Sequence, residues 1–289
     1  MEATKQSEMC FDVRVPYSGK TGFDHKIILQ SDVHFDNPKA DLSLYEKHLQ
    51  HAKENGHGVV IVGDFFCAMQ GRKDRRGMKS ALKESHMVHN YYDQIVDEAV
   101  EFLEPYADNI LVIFNGNHET AVTKNNERDL IYNLVDKLKY KHGHVIQQGG
   151  YHGYIRWKFS KEDAKRSSSQ MTRTKTGYFH HGNWGGIISK GVQGVPRYSS
   201  MVPDADFVAT GHTHDQWCVS HPQFRLRRNG DVEIRKQWHI KIGNYKEEFA
   251  TANGWAIEKI GMPKSLGYAE VSFIWDASLN DIEIKCRSI

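Results

Sequence analysis

An α/β fold built on two sheets is predicted by three features of this 289-residue sequence. Short apolar runs rich in β-branched residues recur, each closed by glycine and polar residues, and read as buried strands. Between the first runs lie segments with apolar residues at helical spacing. They give the strand–helix–strand alternation of a parallel sheet with right-handed crossovers. From His144 onward the period shifts towards two, which predicts antiparallel strands and a second sheet.

Composition sets the limits. A hydrophobic content of 39% and a charged content of 26% describe an ordinary globular protein. A formal charge of +2 gives no global signal for nucleic acid, although a local basic patch is compatible with it. No apolar run approaches the roughly 18 residues that span a bilayer. The start, MEATKQSEMCFDV, lacks a secretory pattern. Cys10, Cys67, Cys218 and Cys286 form no C-x-x-C pair, so reduced thiols and a cytoplasmic location are expected. Neither repeats nor linkers interrupt the chain, and residues 1–289 are expected to form one domain with no membrane contact.

Taken in order, residues 1–25 read as a lead-in with one early strand, Phe11–Val15. Gly19-Lys20-Thr21 suggests a phosphate loop, but Arg14 stands where its first glycine belongs, and a turn is expected. The strand Lys26–Gln30 ends in Ser31-Asp32-Val33-His34. A helix carrying Leu44, Tyr45, Leu49 and Ala52 stops at Gly56, and the strand Val59–Val62 ends in Gly63-Asp64. After the basic stretch Gly71–Lys83, a helix presents Tyr92, Ile95, Val96, Ala99 and Leu103 and ends at Pro105. The strand Ile110–Phe114 runs into Asn115-Gly116-Asn117-His118-Glu119, followed by a helix through Leu130, Ile131, Leu134, Val135 and Leu138. Val145-Ile146 and Tyr154–Phe159, parted by Gly149-Gly150, read as antiparallel strands or a hairpin, and Lys161–Lys175 as an exposed polar loop. Tyr178-Phe179 leads into His180-His181-Gly182-Asn183, and Asp206–Thr210 into Gly211-His212-Thr213-His214. Asn229-Gly230 marks a hairpin between Arg225–Arg228 and Val232–Arg235, and Val271–Trp275 with Ile282–Cys286 make a last pair.

The polar ends of these strands carry the chemistry. Open α/β sheets place ligands at the carboxyl ends of their strands. Here those ends supply Asp32, His34, Asp64, Asn117, His181, His212 and His214. Mixed nitrogen and oxygen donors suit Mn²⁺, Fe, Zn²⁺ or Ni²⁺ rather than Ca²⁺. The set exceeds one tetrahedral site and fits two divalent ions about 3.5–4 Å apart that share the Asp64 carboxylate. Such a pair acidifies a bridging water and clamps phosphoryl oxygens. His118 is not needed as a ligand and is placed to protonate a leaving oxygen, while Glu119 is expected to orient His118 or a ligand. Strand neighbours face opposite ways, so either His180 or His181 points at the ions, and His181 is favoured beside Gly182. Arg72, Lys73, Arg75, Arg76 and Lys79 read equally as a substrate-facing basic loop or a solvated surface. Asn183, Trp184, Lys190 and Arg197 are candidates for the pocket rim, and Tyr245 and Trp255 fit core or rim alike. His48, His51, His57, His86, His89, His142 and His144 are expected to be structural.

The set D-x-H (Asp32, His34), G-D (Gly63-Asp64), G-N-H-E (Gly116–Glu119), H-G (His181-Gly182) and G-H-T-H (Gly211–His214) resembles the calcineurin-like metallophosphoesterases. The resemblance spans residues 26–214. It implies a two-sheet β-sandwich flanked by helices and a dinuclear site. Asp32, His34, Asp64 and His214 would hold one ion; Asp64, Asn117, His181 and His212 would hold the other, manganese being the first expectation. His118, with Asn117 and Asp64, would do the catalysis. The G-D-x-x-D-R-G stretch of the serine/threonine phosphatase branch is missing, since FFCAM follows Asp64. The sequence looks closer to bacterial and bacteriophage-type members that act on nucleotides or nucleic acid. A phosphodiesterase or nuclease is therefore expected, with a phosphomonoesterase or nucleotide pyrophosphatase, or an inactive metal-binding scaffold, as alternatives. Oligomeric state is not legible.

Overall fold

Parity along the strands divides the apolar residues between two cores. In β3 (Asp24–Gln30), Ile27 and Leu29 enter one core and Ile28 the other. In β4 (Gly58–Val62), Val60 and Val62 side with the first, Val59 and Ile61 with the second. A strand buried on both faces needs cover on both sides, and this is why its sequence reads as an unbroken apolar run. The computed structural model describes residues 1–17, 23–69, 82–161, 173–183, 189–226, 229–250, 255–258, 260–278 and 280–289.

The helical core lies between the first sheet and three helices. These are α1 (Leu42–Glu54), α2 (Tyr91–Leu103) and, after α3 (Asn117–Asn126), α4 (Leu130–His142). Asp41 and Asp129 cap α1 and α4, each accepting at 2.9 Å from the backbone N–H three residues on. The first sheet has six strands. In it β3 and β4 run parallel to β5 (Ile110–Phe114) and β6 (Gln147–Gln148), while β12 (Ala269–Asp276) and β13 (Asp281–Ser288) close the other side antiparallel.

The second core lies between the sheets. The seven-stranded sheet follows the order β1 (Ala3–Ser7), β2 (Cys10–Tyr17), β7 (His152–Lys161), β8 (Arg173–His180), β9 (Phe207–Thr210), β11 (Val232–Ile242), β10 (Gln216–Leu226). Its inner face meets the six-stranded sheet through Phe11, Trp157, Phe179 and Phe207 against Phe114 and Phe273. On its outer face α5 (Gly194–Met201) packs through Tyr198 on Tyr178 and Val208. The short α6 (Trp255–Glu258) completes the elements. The architecture is therefore the expected α/β one, two mixed sheets face to face and flanked by helices. No helix among the described residues is long and apolar enough to cross a membrane.

Several expectations change in detail. The early strand is longer and is preceded by β1, with which it pairs antiparallel. Pro105 does end α2, but within a 3-10 turn, Glu104–Asn109. The hairpin across Gly149-Gly150 does not form: β6 joins the six-stranded sheet beside β5, and β7 belongs to the other sheet. The two glycines make that passage. Gly149 N donates to Ile113 O at 2.9 Å and Gly150 O accepts from Asn115 N at 3.0 Å, so the backbone runs flat along β5. Helix α3 starts inside the motif NGNHE and escapes periodicity because only Glu119 and Val122 are buried. The Asn229-Gly230 hairpin forms between strands longer than read, with Phe224 opposite Ile234. Lys161 ends β7 and Arg173 to Lys175 open β8. The rest of that expected loop, the Gly19-Lys20-Thr21 turn and the basic residues from Arg72 to Lys79 lie outside the described residues.

Candidate metal centre

The ends of β3, β4, β5, β8 and β9 meet at one edge of the sandwich, and each loses its ladder at the residue where the chemistry begins. Asp32, His34, Asp64, His212 and His214 all have positive φ, between 48° and 73°. That left-handed backbone costs energy in a non-glycine residue, and it turns each side chain out of the strand direction. Glycine appears where another backbone must come close. A Cβ on Gly116 would lie 2.1 Å from Asp64 Oδ1, and one on Gly211 would lie 1.9 Å from Ser31 Oγ.

Two groups of donors result. In one, His34 Nε2 lies 3.3 Å from His214 Nε2, which is 3.5 Å from Asp32 Oδ1. In the other, His181 Nε2 lies 3.1 Å from both Asp64 Oδ2 and Asn117 Oδ1, and His212 Nδ1 lies 2.8 Å from Asn117 Oδ1. Donors bound at about 2.0–2.2 Å to one ion stand roughly 3 Å apart when adjacent in its shell, so these spacings suit a cation in each group.

The local hydrogen bonds agree with that fit. His181 Nδ1 donates to Val62 O at 2.9 Å, which leaves the Nε2 lone pair facing two oxygens, the usual arrangement of a metal-binding histidine. Among the described residues, Asp32 Oδ1 is buried without a hydrogen-bond partner. Its other oxygen accepts from Ser31 Oγ at 2.6 Å and His212 N at 2.8 Å. His180 is turned away: its Nδ1 accepts from Gly182 N at 2.8 Å and its ring packs on Tyr151 and Tyr198.

Burial sets the charges, and the neighbours then reverse some of them. Burial would raise Asp32 and Asp64, but the imidazoles of His214 and His181 hold both below the ordinary carboxylate range. Burial would lower His181, yet Asp64 and Asp32 carry it up to about 9. A proton on its Nε2 takes the place between oxygens where a cation fits. Burial, then the charge of His118, keeps His34 well below its ordinary value.

His118 sits at the mouth, with its side chain 14% exposed, enough for a substrate to reach it. Its backbone N donates to Asp64 Oδ1 at 2.9 Å, and its Nδ1 donates to Cys67 O at 2.5 Å. The carbonyl can only accept, so the proton is on Nδ1, and Nε2 lies 3.7 Å from Asp64 Oδ2. Glu119 does not reach His118 with its carboxylate. It accepts from Gly116 N at 2.8 Å, Phe66 N at 2.8 Å and Asp64 N at 3.1 Å, and so ties the two loops together by their backbones.

Three contributors were not read from the sequence. Ser31 fixes Asp32, and its place directly before the D-x-H pair was the available signal. Lys241 on β11 is 3% exposed and donates to Gly211 O at 2.6 Å below the His212 turn, and burial lowers it to about 8. The carbonyl of Cys67 holds His118, which no residue type announces. Of the rim candidates, Lys190 O accepts from Trp217 Nε1 at 2.9 Å, while Trp184 lies outside the described residues. Tyr245 is core, fully buried between His48 and Tyr45, and the side chain of Trp255 is not described.

Among solved structures, the fold is similar to that of an uncharacterized predicted phosphoesterase from Streptococcus pneumoniae (11% identity over 92% of this chain and 99% of that one, TM-score 0.34). It is similar also to Vps29 of Entamoeba histolytica, solved with zinc (11% identity over 91% and 98%, TM-score 0.35). A third is a metallophosphoesterase from Sphaerobacter thermophilus (14% identity over 91% and 89%, TM-score 0.34). No curated protein matches the chain. The sequence model described as calcineurin-like phosphoesterase matches residues 25–216, a span that contains all five strand-end clusters. With those clusters converging on one edge of a two-sheet sandwich, the chain belongs to the calcineurin-like phosphoesterase family.

Proposed function

We propose that this metal-dependent phosphoesterase hydrolyses a phosphodiester of the nucleotide or nucleic-acid class, with two divalent cations in its site. The residues that would hold them are Asp32, His34 and His214 on one side, Asn117, His181 and His212 on the other, and Asp64 between. Two cations there would acidify water and offset the charge that builds on phosphoryl oxygens. The chain itself supplies the rest. Asn117 is the first residue of α3 and turns its Oδ1 to His181 and His212, and the adjacent His118 presents Nε2 to the departing oxygen. Protonated at that atom, it would hand the proton over as the P–O bond breaks.

The observation that carries this reading is the forced tautomer of His118. With Nδ1–H committed to Cys67 O, the ring can work only through Nε2, which faces Asp64 and the donor groups. A proton donor is worth most where the leaving group is an alkoxide, as in a diester of a sugar hydroxyl. The basic stretch Gly71–Lys83 begins seven residues after Asp64 in sequence and suits a polyanionic substrate.

The test is hydrolysis of a bis-aryl phosphodiester and its aryl monoester by protein supplied with Mn²⁺, each with a chelator control. Chelator-sensitive cleavage of the diester is expected. Cleavage confined to the monoester would replace this reading with a phosphomonoesterase or nucleotide pyrophosphatase. Silence on both with two ions bound would point to a narrow substrate or to a scaffold. Asp64→Asn is expected to abolish turnover while leaving the circular dichroism spectrum unchanged; full activity would overturn the shared-carboxylate assignment.

A further inference from the structure

We infer that Asp36 is a positioning residue for His118, acting through the Cys67–Ala68 peptide. The inference rests on the reading of His118 given above. Asp36 is 1% exposed, and its carboxylate is fully engaged: Oδ1 accepts from Cys67 N at 2.6 Å, and Oδ2 accepts from Ala68 N at 2.9 Å and from the Tyr91 hydroxyl at 2.5 Å. Ala68 N–H and Cys67 C=O belong to one peptide group. The same peptide therefore donates to a carboxylate at one end and accepts from His118 Nδ1 at the other.

A negative charge at the N–H end of an amide draws its electrons towards oxygen and makes the carbonyl a better acceptor, and hydrogen bonds in such a chain strengthen one another. Asp36 thus acts on His118 as an aspartate paired directly with a histidine would, but with a peptide between them. It also holds the backbone in the shape this requires. Ala68 has φ +51°, a conformation that costs energy without cause in a residue with a Cβ, and the Asp36 carboxylate is the cause here. Tyr91, 3% exposed and leading α2, keeps Asp36 oriented from the helical core. The thiol of Cys67 takes no charge in this, because burial pushes it up to about 12 and Asn37 Nδ2 donates to it at 3.2 Å.

A residue that only supports the fold would slow all substrates alike. One that aims a proton at the leaving oxygen slows substrates in proportion to how much they need that proton. The experiment compares Mn²⁺-supplied wild type, Asp36→Asn, Tyr91→Phe and His118→Ala on two phosphodiesters, one with a 4-nitrophenolate leaving group and one with an alkoxide. His118→Ala should lose about 100-fold or more on the alkoxide ester and far less on the activated one. Asp36→Asn should show the same selectivity, by about tenfold, with unchanged metal content, and should add little in the Asp36→Asn/His118→Ala double variant. ¹⁵N spectra of the metal-free protein should show His118 as the Nδ1–H tautomer in wild type and a mixture in Asp36→Asn. Tyr91→Phe keeps the carboxylate and both amide bonds, and should show a smaller loss with the same selectivity even if Asp36→Asn folds poorly. An equal loss on both esters in Asp36→Asn and Tyr91→Phe, or an unchanged tautomer in a folded Asp36→Asn, would overturn the inference. An unselective His118→Ala would instead overturn the role given to His118.

Discussion

Gly116 has no side chain because Asp64 occupies the space one would fill. A methyl group there would stand 2.1 Å from Asp64 Oδ1 and 2.3 Å from its backbone N, and backbone cannot swing aside as a long side chain can. Gly116→Ala should therefore displace Asp64 from His181 and from the amide of His118. We expect bound Mn²⁺ per chain to fall, measured after gel filtration, with a loss of about 1–3 kcal/mol in urea unfolding from the overpacking. Wild-type metal content in the folded variant would show that the loop has another way to place Asp64. At this scale the candidate donors that converge at the strand ends were legible, because Asp, His and Asn stand there together in the sequence. What could not be read is whatever acts through backbone: the Cys67 carbonyl, the amides tied by Glu119, and the left-handed φ of Asp32 and His214. Asp36 was missed although it stands two residues after His34, since one more acidic residue in a polar turn carries no mark of its partners.

An ion-pair cluster joins the early strand β2 to β7. On β2, Asp12 lies directly across from Arg156 of β7 and accepts from it at 2.7 and 3.0 Å, with Lys158 Nζ at 2.6 Å. Burial would raise the Asp12 carboxyl, but the two cations more than offset this and hold it below 3.8. The sign follows from linkage: a folded-state value below the unfolded one means the contribution is complete above 3.8 and fades as pH falls below it. Asp12→Asn should therefore lower Tm at neutral pH, with the gap to wild type closing as the pH is taken below that value. A gap that stays constant with pH would assign the effect to packing instead. The strands bounded by glycine and the helices with an apolar stripe were legible as elements. Helix α3 was not, because its buried face is nearly absent, and the β6–β7 passage was misread because two glycines between apolar runs look the same whether the chain turns back or crosses to another sheet.

Across the whole molecule, period-two alternation says which residues face a core but not which strand lies next to which. The early strand β2 beside β7 is a pairing across half of the chain length, and β12 beside β3 across most of it, and no local pattern encodes either. What unites the sheets is the aromatic layer between them, and Trp157 is its centre, fully buried with its ring centroid 5.4–6.0 Å from those of Phe179, Phe207 and Phe273. Among the described residues its Nε1 has no hydrogen-bond partner, so the residue is held there for volume and ring contact rather than for its polar atom. Two substitutions separate these contributions. Trp157→Ala should cost about 3–5 kcal/mol, because the rings around it belong to both sheets and cannot all close on the cavity. Trp157→Phe keeps a ring and removes an unsatisfied donor, so its cost should stay under about 1.5 kcal/mol. The candidate metal site stands on the strand ends, outside this layer, so the metal bound per folded chain, with Mn²⁺ supplied, should be unchanged in both. Urea melts followed by circular dichroism give the stabilities, and metal analysis of the native fraction gives the occupancy. A loss of metal in folded Trp157→Phe would mean that the spacing of the two sheets sets the donor geometry, since β3, β4 and β5 bring their donors from one sheet and β8 and β9 from the other.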